Sequence, residues 1–280
     1  MIMVIAVLGL LGLILGSFVD ALTWRLHEQA RIAHHKGEQS ARRRHRLSML
    51  KGRSMCETCK HELAPKDLMP VVSWLWLGGK CRYCHAHISW HTPVIELLLG
   101  GLFALSYAVW PLPLHDEGLV VFGFWLVFLV GFMALAVYDL RWFLLPDRIV
   151  FPLIGLAATQ VVVMFTWEHQ VSVLWQPVLA AGIIFSLFWV LFQVSRGAWI
   201  GGGDVKLALV LGLLAGTPAK VFLLIFLASL AGTLASVPVL LRGRQGLKAH
   251  IPFGPHLLLA TVVVVLWGTA IIDWYRHFLV

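Results

Sequence analysis

The sequence predicts an all-α polytopic membrane protein with about eight transmembrane helices. Of its 280 residues, 59% are hydrophobic and only 13% are charged, whereas a soluble domain is nearer half apolar and a quarter charged. The apolar residues also fall in long blocks, and about 20 residues are needed to cross a hydrocarbon core of roughly 30 Å. These blocks lie at residues 2–24, 94–110, 118–138, 149–167, 175–195, 221–241 and 252–272, with a short one at 205–215.

The first apolar block is expected to be a retained membrane helix. A secretory signal begins with a basic region before a brief apolar core. Residues 1–15 contain no charged side chain, and the apolar run continues into Phe18.

The distribution of Lys and Arg predicts the topology. If the N-terminus lies outside and the chain crosses eight times, 20 of the 22 basic residues fall in cytoplasmic segments, as the positive-inside rule requires. These segments are 25–93, 139–148, 196–206 and 242–251. The count requires a helix break at residues 216–218, because a single crossing over 205–241, which is the alternative, would move three basic residues to the other side.

The segment 25–93 is too long to be a simple connection. It contains 13 basic and five acidic residues, and its run at residues 42–46 is expected to attract anionic lipid head groups. No stacking platform or reader motif accompanies the charge, so nucleic acid is not an expected partner. The predicted domains are therefore a first transmembrane helix (1–24), a cytoplasmic basic domain (25–93) and a membrane core (94–280).

Four cysteines in this segment predict a structural zinc site. Cys56 and Cys59 form one CxxC pair, and Cys81 and Cys84 form a second after 21 intervening residues. Two such pairs supply four thiolates to a tetrahedral zinc ion and leave no open position for catalysis. The alternatives are two disulfides or four free thiols, although disulfides are rare in the cytoplasm. His85 or His87 replacing one cysteine is a further alternative.

Two carboxylates at the ends of apolar blocks are candidate catalytic groups. Asp139 ends the block 118–138, and Asp204 opens the block 205–215 after three glycines, Gly201 to Gly203. The predicted topology places both at the cytoplasmic face, where a carboxylate pair that shares one proton can activate water. The glycines would let the backbone approach a substrate strand. The alternatives are an N-cap for Asp204 and a boundary charge paired with Arg141 for Asp139.

Taken in order, these motifs resemble the bacterial prepilin peptidases, or type IV leader peptidases, which carry the GxGD motif of intramembrane aspartyl proteases. The similarity covers nearly the whole chain and has the zinc motif between the first two helices. The matching segments are Gly16-Ser17-Phe18 with Arg25, the two CxxC pairs, residues 74–81, 88–89 and 93–98, Asp139 with Pro146-Asp147, residues 201–207, and residues 252–255.

The resemblance implies a function. The chain would be a membrane-embedded aspartyl endopeptidase of the bacterial cytoplasmic (inner) membrane that serves a type IV pilus or type II secretion system. It would cleave the leader of a prepilin or pseudopilin after Gly, at the cytoplasmic face. Asp139 and Asp204 would be the catalytic pair, with Gly201, Gly203, Lys206 and Asp147 in support. Many members with this zinc loop also methylate the new N-terminus with S-adenosylmethionine.

Two other classes of function compete with this interpretation. A proton- or metal-coupled transporter could use the aspartates as relay groups, with the zinc domain in a regulatory role, but it needs carboxylates at mid-membrane. A non-catalytic assembly factor for a secretion system would tolerate Asn in place of both aspartates.

The positions of the two aspartates on their predicted helices also suggest their roles. Asp204 opens a helix, where the free N–H groups favour an ionised carboxylate, and Asp139 closes one, where the carbonyl groups disfavour it. This argument makes Asp204 the base and Asp139 the holder of the shared proton.

Overall fold

The structure, a computed structural model, describes residues 1–33, 54–241 and 252–279. Within these ranges the regular secondary structure is helical apart from two isolated β-bridges, Met55 to Glu62 and Lys80 to His87. The all-α fold class is therefore confirmed. The helices are α1 (Ile2–Ala33), α2 (Val72–Trp76), α3 (His91–Ala108), α4 (Asp116–Trp142), α5 (Asp147–Glu168), α6 (Ser172–Ser195), α7 (Gly202–Ala215), α8 (Pro218–Leu241) and α9 (Gly254–Leu279).

Seven helices in the described ranges are long and apolar enough to cross a membrane, namely α1, α3, α4, α5, α6, α8 and α9. The chain is thus a multi-pass membrane protein. The predicted eighth crossing is α7, which is a separate helix of only 14 residues. At 1.5 Å per residue it is about 21 Å long, shorter than the hydrocarbon core.

The chain divides into two compact units, of which the first is Met1–Ala108. Its main contact is between α1 and α3, where small residues let two helix backbones approach closely. A Cβ at Gly16 would lie 2.6 Å from the Cα of Glu96, so no side chain fits there. Helix α1 continues to Ala33, beyond the predicted end at Trp24.

The second unit is Val109–Val280, and α7 lies among four of its helices. Helix α7 contacts α5, α6, α8 and α9, and from Leu207 to Ala215 its residues are all apolar or glycine, as a helix packed among others requires. It ends at Gly216, whose φ of 75° suits a residue without Cβ. Pro218 then begins α8. The predicted helix break at residues 216–218 is therefore present.

Some predictions fall on residues that the structure does not describe. They are the lipid-binding run at residues 42–46 and the whole basic segment 242–251. The domain boundaries at residues 24 and 93 also remain predictions.

Candidate active site and metal centre

The four cysteines lie on two turns that are built in the same way. In each turn the residue after the second cysteine has positive φ, 58° for Lys60 and 56° for His85. The N–H groups of these residues donate to the carbonyl oxygens of Cys56 and Cys81, over 3.0 and 2.9 Å. Each turn thus folds its CxxC pair into the compact form that metal-binding thiols need.

The four thiols form one cluster that could hold a metal ion. All four Sγ atoms lie within 4.8 Å of one another, and none is in a disulfide. The Sγ atoms of Cys56 and Cys84 are 3.8 Å apart, which is about the separation expected around a tetrahedral ion with metal–sulfur bonds of about 2.3 Å. Among the described residues, neither His85 nor His87 belongs to the cluster.

Backbone N–H groups favour the thiolate that a metal needs at Cys56. Burial acts to raise the pKa of this thiol, but the N–H groups of Cys59 and Thr58 outweigh that effect and lower the pKa to about 7. Burial raises the pKa of the Cys81 thiol, which is 2% exposed. A bound cation would favour the thiolate form at both positions.

Asp67 connects the two halves of residues 54–90, the segment that carries the four cysteines and that we call the metal-binding loop. Its carboxylate accepts from Arg82 Nε at 2.6 Å, from the Tyr83 hydroxyl at 3.1 Å and from the Ala64 N–H at 3.3 Å. Burial acts to raise the pKa of Asp67, but these three donors outweigh it and hold the pKa below its ordinary value. The carboxylate therefore stays ionised and fixes the second CxxC pair against residue 64.

Replacing a cysteine should release the metal. We expect Cys81→Ser to abolish stoichiometric metal binding, because a neutral hydroxyl in a buried site cannot replace a thiolate. Metal analysis of purified protein, with proteolysis of the loop as a second measurement, tests this. Asp67→Asn is the matched variant and should retain the metal while weakening the loop. Equal metal content in wild type and Cys81→Ser would contradict this assignment.

In the second unit, Asp139 is a buried carboxylate near the end of α4. Its residue is 6% exposed. Its side chain accepts a hydrogen bond from the N–H of Gly254, the first residue of α9, and His256 lies close enough to act on its charge. The last turn of α4 and the first turn of α9 are therefore joined at this carboxylate.

Gly254 has to be glycine for this contact to form. A Cβ at this position would lie 2.5 Å from Oδ2 of Asp139 and 3.6 Å from Leu145. The absence of a side chain is what lets the N–H reach the carboxylate.

Asp204 lies in the first turn of α7 and interacts with Asp139. Its carboxylate accepts a hydrogen bond from the N–H of Gly201, which precedes the helix, and the two aspartates act on each other electrostatically. The structure therefore brings the two predicted aspartates together. Because two nearby carboxylates resist simultaneous ionisation, such a pair can share a proton and activate water.

The glycines before Asp204 serve the packing of the site. Gly201 is the N-cap residue of α7, and a Cβ on Gly203 would lie 2.9 Å from Cβ of Leu145. Leu145, in the connection between α4 and α5, thus lies beside both Gly203 and Gly254. The close approach of Leu145 therefore accounts for the glycine at position 203, and the approach of a substrate strand to the three glycines stays a prediction.

Lys206 and Asp147 form an ion pair next to this site. Nζ of Lys206 lies 2.7 and 2.9 Å from the two carboxylate oxygens of Asp147. Asp147 is the first residue of α5 and Lys206 lies in the second turn of α7, so the pair joins the starts of these helices. Asp147 is therefore paired with a cation, whereas Asp204 interacts electrostatically with a second carboxylate, Asp139.

Gly254 and His256 are the site residues that sequence analysis missed. In the sequence, residues 252–255 stand out only because they match a segment of the prepilin peptidases. No spacing rule connects them with Asp139, because the contact depends on how α4 and α9 pack. A glycine that begins a helix after a Pro-Phe pair was the available signal.

Comparison with known proteins decides the family. Residues 10–110 match the model of the bacterial peptidase A24 N-terminal domain, and residues 126–237 match that of the type IV leader peptidase family. The chain belongs to the type IV leader peptidase family. The predicted resemblance is thereby confirmed, and the two matches include all four cysteines and both aspartates.

Relatives within this family are similar along almost their whole length. The prepilin leader peptidase/N-methyltransferase of Pseudomonas aeruginosa is 31% identical over 96% of this chain and 92% of its own. The protein of the same name from Bacillus subtilis is 30% identical over 97% of both chains. The type 4 prepilin-like proteins leader peptide-processing enzyme of Escherichia coli is 32% identical over 94% and 93%. No solved structure matches the chain.

Proposed function

We infer that this protein is a membrane-embedded aspartyl endopeptidase that removes the leader of prepilin-like proteins by cleaving after Gly. The observation that supports this inference is the electrostatic interaction of Asp139 with Asp204, two carboxylates on helices that are far apart in sequence. The family supports the same reaction, because its members that resemble this chain are named for prepilin leader processing. No observation favours the transporter, since both aspartates lie in terminal turns of their helices and not near the middle.

The proposed reaction uses the pair as acid and base together. The ionised carboxylate takes a proton from water, whose oxygen attacks the carbonyl carbon of the scissile peptide bond. The protonated carboxyl group donates to the carbonyl oxygen. The C–N bond then breaks. The leaving nitrogen takes the proton that the first carboxylate removed from water and becomes the new N-terminal amine, while the former carbonyl oxygen returns its proton to the second carboxylate.

In the structure, helix polarity does not distinguish which aspartate is the base and which holds the proton. Asp139 lies near the end of α4, but its carboxylate accepts from Gly254 at the start of α9. Both carboxylates therefore face the positive end of a helix, and helix polarity no longer distinguishes base from acid. We propose that the pair shares one proton and titrates as a unit.

The metal-binding loop is proposed to hold a structural zinc ion. Four thiolates in a compact cluster suit zinc, and they leave no position for a substrate or water. Bound zinc would contribute folding energy to residues 54–90, which contain no long helix.

Methylation of the new N-terminus, with S-adenosylmethionine as donor, is part of the proposal. It rests on the names of relatives similar to the chain along most of its length, two of which are called N-methyltransferases. No described residue is assigned to the methyl donor.

The proposed location is the bacterial cytoplasmic membrane, with both aspartates and the metal-binding loop at the cytoplasmic face. Reporter fusions after residues 60, 143 and 246 should therefore report the cytoplasm, and fusions after residues 114, 170 and 218 the outside. The reason is the placement of 20 of 22 basic residues on one side. A cytoplasmic signal at residue 218 would contradict this topology, because α7 would then not separate two sides.

The ion pair beside the site should support cleavage without taking part in it. We expect Asp147→Asn and Lys206→Gln each to slow cleavage by less than about tenfold, because exposed ion pairs contribute about 1 kcal/mol or less. The double variant should be no worse than either single variant, since both remove the same contact. Cleavage rates on one prepilin measure this. Complete loss in Asp147→Asn alone would place Asp147 in the catalytic pair.

Activity in cells tests the proposed function. The full chain is expressed with a prepilin in bacteria that lack their own leader peptidase, and the size of the prepilin is followed on immunoblots. We expect a shift to the mature size. A prepilin that stays at full size, with the enzyme present in the membrane, would contradict the proposal.

A further inference from the structure

The short helix α2 lies between the two CxxC pairs. One of its faces contacts the rest of the loop, and the other face is exposed. On the contacting side, Trp74 Nε1 donates to the carbonyl of Ile88 at 3.1 Å, and its ring lies 3.1 Å from the position of a Cβ on Gly79. On the other side, Leu75 is 65% exposed and Trp76 is 85% exposed. Met69 and Val72 are also exposed, and we name the surface of Met69, Val72, Leu75 and Trp76 the α2 face.

The start of α2 is attached to a membrane helix. The N–H of Val71, the residue before α2, donates to Oε2 of Glu96 over 2.7 Å. Glu96 is 3% exposed and is the sixth residue of α3, which is one of the helices able to cross the membrane. This contact lies about 8 Å along the axis from the first residue of α3.

Val71, at the attachment between α2 and α3, has an unusual backbone conformation. Val71 has φ of 60° and ψ of −48°, a conformation that β-branched residues rarely adopt. Such strain persists where surrounding contacts determine the conformation. The hydrogen bond to buried Glu96 is one such contact, and it joins the start of α2 to α3.

Lipid is expected to surround α3 at the level of Glu96, where α2 is attached. Leu97 and Leu98, which follow Glu96 directly, are each 54% exposed on a membrane helix. Apolar side chains that point outward there are in contact with lipid. The α2 face therefore lies beside a surface that is already covered by the bilayer.

The composition of the α2 face suits the zone between head groups and acyl chains. Tryptophan is enriched at this zone because its ring is apolar while its N–H can still form hydrogen bonds. The exposed Lys80 lies in the same loop, and a cation near the surface is attracted to anionic lipid. A surface of Met, Val, Leu and Trp left in water would be an aggregation hazard.

We propose that the α2 face inserts into the interfacial zone of the bilayer and holds the metal-binding loop against the membrane. The occupant of this surface is lipid. Within the described residues, the loop is thereby held by its connection to α3 and by the α2 face. Glu96 is a positioning residue in this arrangement, since it sets the depth of α2.

Photo-crosslinking in a bilayer tests the proposal. The full-length protein carries a benzophenone amino acid at position 76 and is reconstituted in nanodiscs of phosphatidylethanolamine and phosphatidylglycerol. After illumination, mass spectrometry of the labelled peptide should show adducts of lipid mass. A label at position 98 is the lipid-facing reference, and one at Lys66, an exposed position of the same loop, is the water-facing control. We expect at least tenfold more lipid adduct at position 76 than at position 66.

Three results would overturn the proposal. They are an adduct at position 76 as low as that at position 66, a crosslink from position 76 to a second copy of the chain, and a crosslink to added prepilin in place of lipid. A second variant with the label at Leu75 covers the case in which the first does not fold. Metal content equal to wild type shows that the loop is intact, and Glu96→Gln should weaken the lipid adducts at position 76 without removing those at position 98.

Discussion

Asp139→Asn and Asp204→Asn are each expected to reduce prepilin cleavage by about 10³-fold or more. Asn keeps the shape of the side chain but can neither hold the shared proton nor take one from water, and positioned acid–base groups contribute about 10² to 10⁴-fold each. Because the two carboxylates act as a unit, the double variant should be hardly worse than either single variant. Cleavage rates in detergent, with matched protein amounts, measure the effect.

The ion-paired aspartate supplies the control for this experiment. Asp147→Asn makes the same chemical change at a carboxylate that contacts Lys206, and it should keep most of its activity. Full cleavage by Asp139→Asn or Asp204→Asn would remove that residue from the mechanism. Such a result for both would favour the non-catalytic assembly factor.

Gly254→Val is expected to reduce cleavage by about 100-fold. Its Cβ would lie 2.5 Å from Oδ2 of Asp139, so either the carboxylate or the start of α9 has to move. The N–H that holds Asp139 would be displaced with it. A misplacement of about 1 Å at a catalytic group lowers the reaction rate about 10²-fold. The rate constant for cleavage should fall while the protein still reaches the membrane.

A glycine in open surroundings supplies the matched control. A Cβ on Gly155 in α5 would meet nothing within 4 Å, so Gly155→Val changes the same residue type without displacing a neighbour. It should keep near wild-type activity. Equal losses in both variants would show that the effect of Gly254→Val comes from general damage to the membrane helices, and not from Asp139.

Much of the fold follows from patterns that are local in sequence. The apolar blocks mark the membrane helices, because only long apolar helices satisfy their backbone in lipid. The break at Gly216 follows from a glycine and a proline at a helix end. The metal cluster follows from the spacing of four cysteines. In each case the residues that decide the structure lie within a few turns of one another or obey a known ligand pattern.

The parts of the fold and of the site that the sequence does not predict depend on packing between segments that are distant in sequence. The bond from Gly254 to Asp139 and the bond from Val71 to Glu96 each join residues that no periodicity relates. The helix-end argument for the roles of the aspartates treated each helix alone, so it did not include the N–H of Gly254 at the start of α9. Likewise, the sequence does not show that Leu145 lies beside Gly203, because the two residues meet only in the folded chain.

The most direct test of the central claim is the N-terminus of the product. The purified protein is incubated in detergent with a prepilin, without any membrane gradient, and the product is sequenced by mass spectrometry. We predict one new N-terminus directly after the Gly of the leader, formed by wild type but by neither Asp139→Asn nor Asp204→Asn. An uncut prepilin with wild type, or the same product with both aspartate variants, would contradict the assignment of this chain as an aspartyl leader peptidase.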